Sequence, residues 1–218
     1  MTRRRTLFAG LLSLVVFAVL AIVVGVAPGA VDPLDHAWNG MMASIRSEFA
    51  VQAALVMNAL GGGWIATFAI PLLLAAVAAL VRGWRVGVVA LLAFIASALA
   101  VQVLKHLLGR ERPIDLLVAS DFGSFPSGHT ANAATIGVVL CLILPRVLGV
   151  AVALAWTVLM ALSRTVLSVH WLSDTVGGAL LGAGVGLIVV ALCLGWVRPR
   201  VEGSEREGAE REESERDA

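Results

Sequence analysis

The sequence predicts an all-α fold, a six-transmembrane helical bundle, and three observations carry that prediction. Of the 218 residues, 59% are hydrophobic and 14% are charged, whereas a soluble domain carries about 25% charged residues. The charges are also clustered: eight of the 15 acidic and three of the 16 basic residues fall within Glu202–Asp217, so the remaining body is basic. What remains contains six uncharged apolar runs, each near the roughly 20 residues a helix needs to cross a hydrocarbon core of about 30 Å. No aqueous core absorbs that much apolar sequence, which excludes the water-soluble classes.

In chain order the runs are Leu7–Ala27, Trp64–Val81, Val86–Leu104, Thr130–Pro145, Val147–Leu162 and Thr175–Val197. Arg3, Arg4 and Arg5 precede the first. A basic head before an apolar run is also the pattern of a secretory signal, but this run is long for one and Ala27-Pro28-Gly29-Ala30 is a poor cleavage site. Ala50–Gly63 is uncharged too, yet it contains Gln52, Asn58 and the breaker Gly61-Gly62-Gly63. It reads as an interfacial helix or a re-entrant piece ahead of the second span. The fourth and fifth runs are short and extend into their flanking motifs. Cys141 and Cys193 lie inside apolar runs and read as small buried hydrophobes. One membrane domain over residues 1–200 and a charged, disordered tail over 201–218 is the simplest partition.

Arginine placement sets the orientation. Arg3–Arg5, Arg82 with Arg85, Arg146, and Arg198 with Arg200 all fall on one side of a six-span layout. That side is expected to be cytoplasmic, with both termini on it. Trp84 and Trp196 mark the inner interface; Trp38, Trp64 and Trp171 mark the outer one. Asp32, Asp35 and His36 read as ordinary polar residues of the first outer loop and His106 as interfacial, while Arg110 and Glu111 are expected to pair with each other or to touch headgroups.

Three strings then converge on the outer side: KHLLGRERP (Lys105–Pro113), PSGH (Pro126–His129) and SRTVLSVHWLSD (Ser163–Asp174). Ionisable groups beside lipid are costly and rarely lack a use. PSGH at the mouth of a helix presents free backbone N–H groups at Gly128, the Ser127 hydroxyl and His129, a good anion site that is equally an ordinary helix cap. His170 and Asp174 lie one turn apart if helical, so the carboxylate can orient the imidazole as a nucleophile or base. Lys105, Arg112 and Arg164 supply the fixed cations that stabilise a phosphoryl group in transfer. Taken singly, each cation is explained by snorkelling to headgroups; three of them with two histidines on one face are not. His129, His170 and Asp174 have the donor atoms of a metal site, but the three cations would repel a metal, so none is expected. No cofactor is implied. The chain has neither a nucleotide phosphate loop nor a basic patch interleaved with aromatics, so nucleic acid is not an expected partner.

These strings resemble the type 2 phosphatidic acid phosphatase (PAP2) superfamily, which also contains vanadium haloperoxidases. The family pattern is Lys, six residues, Arg-Pro; then Pro-Ser-Gly-His; then Ser-Arg, five residues, His, three residues, Asp. Lys105/Arg112/Pro113, Pro126–His129 and Ser163/Arg164/His170/Asp174 match it throughout. The resemblance implies a PAP2/vanadium haloperoxidase-like catalytic core in which His170 attacks phosphorus and Asp174 orients it. His129 would protonate the leaving oxygen and later activate water. Lys105, Arg112, Ser127, Gly128 and Arg164 would hold the phosphate oxygens, with no metal and no cofactor. The expected protein is a lipid phosphate phosphatase of a bacterial plasma membrane, working on the outer leaflet. Its expected substrate is phosphatidic acid, phosphatidylglycerol phosphate or undecaprenyl diphosphate. The alternatives are a haloperoxidase-like oxidoreductase and a non-catalytic binder of anionic lipid.

Overall fold

The computed structural model describes residues 2–197, so the charged tail and Arg198 and Arg200 lie outside the described residues. Among the described residues every regular element is helical. They are α1 (Arg3–Val26), α2 (Asp32–Ser44), α3 (Glu48–Gly61), α4 (Ile70–Arg82), α5 (Trp84–Leu108), α6 (Gly128–Ile143), α7 (Arg146–Val166) and α8 (Leu172–Val197). A π-helical turn, Ile65–Ala69, leads directly into α4. Helix ends follow local chemistry. Gly109 adopts a left-handed conformation (φ 54°) and its N–H bonds the Lys105 carbonyl at 3.0 Å, closing α5 where a side chain would be strained. The Ser127 hydroxyl caps α6, and Pro145 stands just ahead of α7.

Five segments are long and apolar enough to cross a membrane: Arg3–Val26, Ile65–Arg82, Trp84–Leu108, Arg146–Val166 and Leu172–Val197. The chain is therefore a multi-pass membrane protein. The remaining expected span is α6, only 16 residues long, or about 24 Å at 1.5 Å per residue. It is short because it is interior: nine of its residues, from Thr130 to Val139, are buried. α6 packs against α5, α7 and α8, so protein rather than lipid surrounds much of it. α1 and α7 instead turn Phe8, Val19, Ile22, Val147 and Leu154 outward, as lipid-facing helices do.

Two glycines set how deeply α6 and α8 interlock. A Cβ at Gly178 would lie 2.4 Å from the Ser127 carbonyl oxygen, and one at Gly182 would lie 2.1 Å from that of Ala131. The helices thus meet backbone to backbone just below the start of α6. Beside that contact Phe17 of α1 stacks on Phe125 at 5.8 Å between ring centroids, in a cluster with Val101 and Leu181. Arginines close one end of the bundle: Arg82 donates to the Ile143 carbonyl and Arg85 to that of Trp196, with Arg85 also lying over both Trp84 and Trp196. The three strings lie at the other end.

The stretch between the first and second spans holds two helices rather than a loop. α2 was not expected, and its buried residues are Asp35 and Met42. α3 begins two residues before the expected uncharged segment and ends at the triple glycine. It packs on α7 and exposes Phe49 and Val56, consistent with a helix lying against the bundle.

Candidate active site

Six elements deliver the site residues. Lys105 comes from the last turn of α5, Arg112 from the following loop, and Ser127, Gly128 and His129 from the start of α6. Arg164 comes from the last turn of α7, His170 from the short α7–α8 connection, and Asp174 from the first turn of α8. The Ser127 N–H donates to the Asp174 carbonyl at 3.0 Å, pinning the second string to the third.

His170 is buried, with 3% of its surface exposed, and Asp174 is wholly enclosed. The expectation that both sit on one helix needs correction: α8 starts at Leu172, so His170 precedes it. Nδ1 still faces Asp174 Oδ2, but at 3.4 Å, because that oxygen already accepts the Trp171 N–H at 2.9 Å. Nε2 lies 3.3 Å from Arg112 Nη1. A guanidinium has only donors, so Nε2 is the nitrogen placed to accept, while Nδ1, buried and turned to Asp174, makes no hydrogen bond. Burial first, then Arg112, Arg164 and Lys105, hold the imidazole well below its usual range and keep it neutral.

Arg112 is immobilised by backbone. It donates to the carbonyls of Val169, Gly123 (2.8 Å) and Asp121 (3.1 Å). Its two other contacts go to His170 Nε2 and, at 2.6 Å, to Asp121 Oδ1. Lys105 is 3% exposed and reaches both oxygens of Asp121 at 2.9 Å. Arg164 is 2% exposed and gives one N–H to Asn58 Oδ1 at 2.6 Å, while its buried Nε has no protein partner. His129 Nε2 is likewise buried without a partner. A Cβ on Gly62 would lie 2.7 Å from that nitrogen, so Gly62, with Gly61 at the end of α3, forms the wall against His129. Ser127 accepts from the hydroxyl of Thr130 at 3.1 Å, and its own hydroxyl proton stays available. The cap reading and the anion reading of PSGH are thus compatible. All eight residues singled out by sequence lie at this end of the bundle.

The structure corrects two readings. Arg110 is not a headgroup contact: it donates to Asp174 Oδ1 at 2.7 Å, Ser173 Oγ at 2.7 Å and Asp35 Oδ2 at 2.8 Å. Burial opposes its charge, but Asp174 and Asp35 outweigh that and raise its pKa. Asp35 is not an ordinary loop residue: it is 1% exposed and also accepts the Ser173 N–H at 2.9 Å. Sequence reasoning missed Asn58 and Asp121 too. A further network joins Arg46, Asn39 and Asp115 to Ser168, which has φ 49° two residues before His170. Among the described residues no group of three or more His, Cys, Asp or Glu is placed to hold a metal. A cleft of about 770 Å³ opens between α6, α7 and α8 near Arg82 and Arg146, and none of the eight residues lines it.

The sequence profile of the PAP2 superfamily matches residues 86–198. Decaprenylphosphoryl-5-phosphoribose phosphatase of Mycobacterium tuberculosis is 36% identical over 113 residues, covering 50% of this chain and 61% of that protein. The match thus spans less than two thirds of that relative. Phosphatidylglycerophosphatase B of Bacillus subtilis is 30% identical over 177 residues, 75% of this chain and 85% of that protein. The crystal structure of a transmembrane PAP2 type phosphatidylglycerolphosphate phosphatase from Bacillus subtilis superposes with a TM-score of 0.76 at 26% identity. It covers 89% of this chain and 100% of that one.

Proposed function

Because the chain belongs to the PAP2 superfamily, we propose that it hydrolyses the phosphate ester or diphosphate of a membrane lipid through a phosphohistidine at His170. The observation that carries this reading is the placement of buried His170, with Nε2 3.3 Å from Arg112 Nη1 and Nδ1 turned to a fully buried carboxylate. In the first step Nε2 attacks phosphorus, the phosphorus–oxygen bond to the lipid breaks, and His129 donates a proton to the departing oxygen. For a monoester the leaving group is a lipid alcohol; for a diphosphate it is a lipid monophosphate. In the second step water attacks the phosphohistidine, His129 takes the proton, and the phosphorus–nitrogen bond breaks to release inorganic phosphate. Lys105, Arg112, the Nε of Arg164 and the first N–H groups of α6 carry the charge that builds on the equatorial oxygens. Asp174 faces the imidazole ring that becomes positive, and Arg110 holds Asp174 in place.

The relatives act on phosphorylated lipids of two kinds, glycerophospholipid and polyprenyl. Both leave an apolar chain in the bilayer while the phosphate reaches the cluster, which suits a site at one end of a lipid-facing bundle. The reaction is assigned to the outer leaflet of a bacterial plasma membrane, with both termini cytoplasmic. The support is that Arg82, Arg85 and the start of α1 lie at the end away from the cluster.

The test is phosphate release by the purified protein from phosphatidic acid, phosphatidylglycerol phosphate and undecaprenyl diphosphate vesicles, with chelator present. Turnover of at least one lipid is expected to persist in chelator and to vanish in His170→Asn. Hydrolysis confined to water-soluble esters, or activity lost to chelator, would overturn the reading. A lipid binder without chemistry would release no phosphate at all.

A further inference from the structure

One carboxylate sits where the proposed reaction needs a phosphoryl group. Both oxygens of Asp121 accept from Lys105 Nζ at 2.9 Å, and Oδ1 also accepts from Arg112 Nη2 at 2.6 Å. A carboxylate bridging an ammonium and a guanidinium presents two anionic oxygens to the donors that would take two phosphate oxygens. Its charge also acts on His170 and Arg164. Burial alone would raise the Asp121 pKa, but Lys105 and then Arg112 hold it below the usual carboxylate range, so it is ionised at neutral pH.

Other features of Asp121 argue against a purely structural pair. Its side chain is 61% exposed, on the irregular segment between α5 and α6, whereas Lys105 is 3% exposed. Arg112 does not need the carboxylate to stay in place, because the carbonyls of Val169, Gly123 and Asp121 itself hold the guanidinium. Lys105 projects from the last turn of α5 and has no other hydrogen-bond partner among the described residues. Arg112 is therefore fixed by backbone and Lys105 by its burial on α5, whereas the acid that joins them is exposed and free to turn into water.

The geometry points to Asp121 as an internal anion that occupies the phosphate cradle between turnovers and competes with inorganic phosphate for Lys105 and Arg112. This rests on the phosphatase reading above. After the phosphohistidine is hydrolysed, the product sits among three cations that would retain it. Return of the Asp121 carboxylate exchanges one anion for another, so the cations are never left uncompensated and the product leaves faster. An incoming lipid phosphate, which carries more charge and more oxygens than a carboxylate, displaces Asp121 in turn.

The experiment compares wild type with Asp121→Asn and Asp121→Ser as full chains in detergent. It measures inhibition of lipid phosphate hydrolysis by inorganic phosphate and by vanadate. Direct binding of inorganic phosphate is measured separately in a His170→Asn background. Removing the competing carboxylate is expected to tighten phosphate binding at least fivefold, lower the inhibition constants in step, and lower KM with kcat unchanged or reduced. If Asp121 merely held Lys105 and Arg112 in place, its loss would weaken phosphate binding and raise KM. That result, or unchanged binding in both variants, overturns the proposal. Failure of the phosphatase reading would show separately, as absence of wild-type turnover.

Discussion

The segment Lys105–Asp174 and the segment Asp32–Gly63 face the same site but are built from opposite materials. The first supplies charged and ring side chains whose chemistry is evident one by one: a lysine, two arginines, two histidines and an aspartate. The second supplies Asp35, Asn58 and the triple glycine at the end of α3, none of which has an obvious reactive role. Yet Asp35 braces Arg110, which in turn holds Asp174. Asn58 tethers Arg164, and Gly62 sets the wall against His129. The difference teaches that the reacting groups all come from one segment, while part of their bracing and one wall come from the other.

The largest effect on that division is expected at Arg110. Arg110→Gln leaves the buried Asp35 and Asp174 without their shared cation, and breaking a buried ion pair costs about 3–5 kcal/mol. The thermal midpoint should fall clearly and kcat should drop at least about 100-fold, with KM far less affected, because a misplaced dyad harms the reaction more than binding. Arg110→Lys should recover little, since an ammonium cannot reproduce the fork. Normal kcat in Arg110→Gln would break the comparison.

Next is Gly62→Ala. Its Cβ would lie 2.7 Å from His129 Nε2, so the ring or the helix must shift. A displacement of this order is expected to cost about 10- to 100-fold in kcat, with folding checked by the thermal midpoint. Asn58→Ala is a smaller perturbation. It releases Arg164 from a 2.6 Å contact, and losing one hydrogen bond to a charged group should raise KM about tenfold. The smallest expected effect is on pH dependence. His170 must be neutral to attack, and its pKa is depressed by burial, Arg112, Arg164 and Lys105, while Asp121 opposes that depression. The acidic limb of kcat/KM should therefore lie below pH 6.5, the ordinary imidazole value. Asp121→Asn should move it lower still, because removing a negative charge disfavours the imidazolium. A limb that moves upward would contradict this assignment.

The sequence made most of the bundle legible, because a run such as Val86–Leu104 has no aqueous alternative, and α5 covers it. α6 was harder: its apolar composition resembles a span, but its length is set by the depth at which Ser127 begins the helix. The strings were legible because ionisable groups are conspicuous in an apolar chain. Arg110 stood in the same string and was still misread, since its partner Asp35 lies 75 residues away. Asp35 itself looks like any loop acid until α2 folds it inward. His170 was assigned to a helix by the spacing to Asp174, whereas that carboxylate caps the start of α8 and leaves the imidazole just outside it. Asp121 carries no motif, and only the fold brings it against Lys105.

The central claim is that His170 Nε2 becomes phosphorylated. It is tested most directly by mixing the unmutated protein with a lipid labelled at its terminal phosphate, quenching in alkali within the first turnover, and locating the label by peptide mass spectrometry. The account predicts an alkali-stable, acid-labile phosphate on His170, absent when His170→Asn is added. Turnover by the unmutated protein with His170 never labelled, or persisting after His170→Asn, would contradict it.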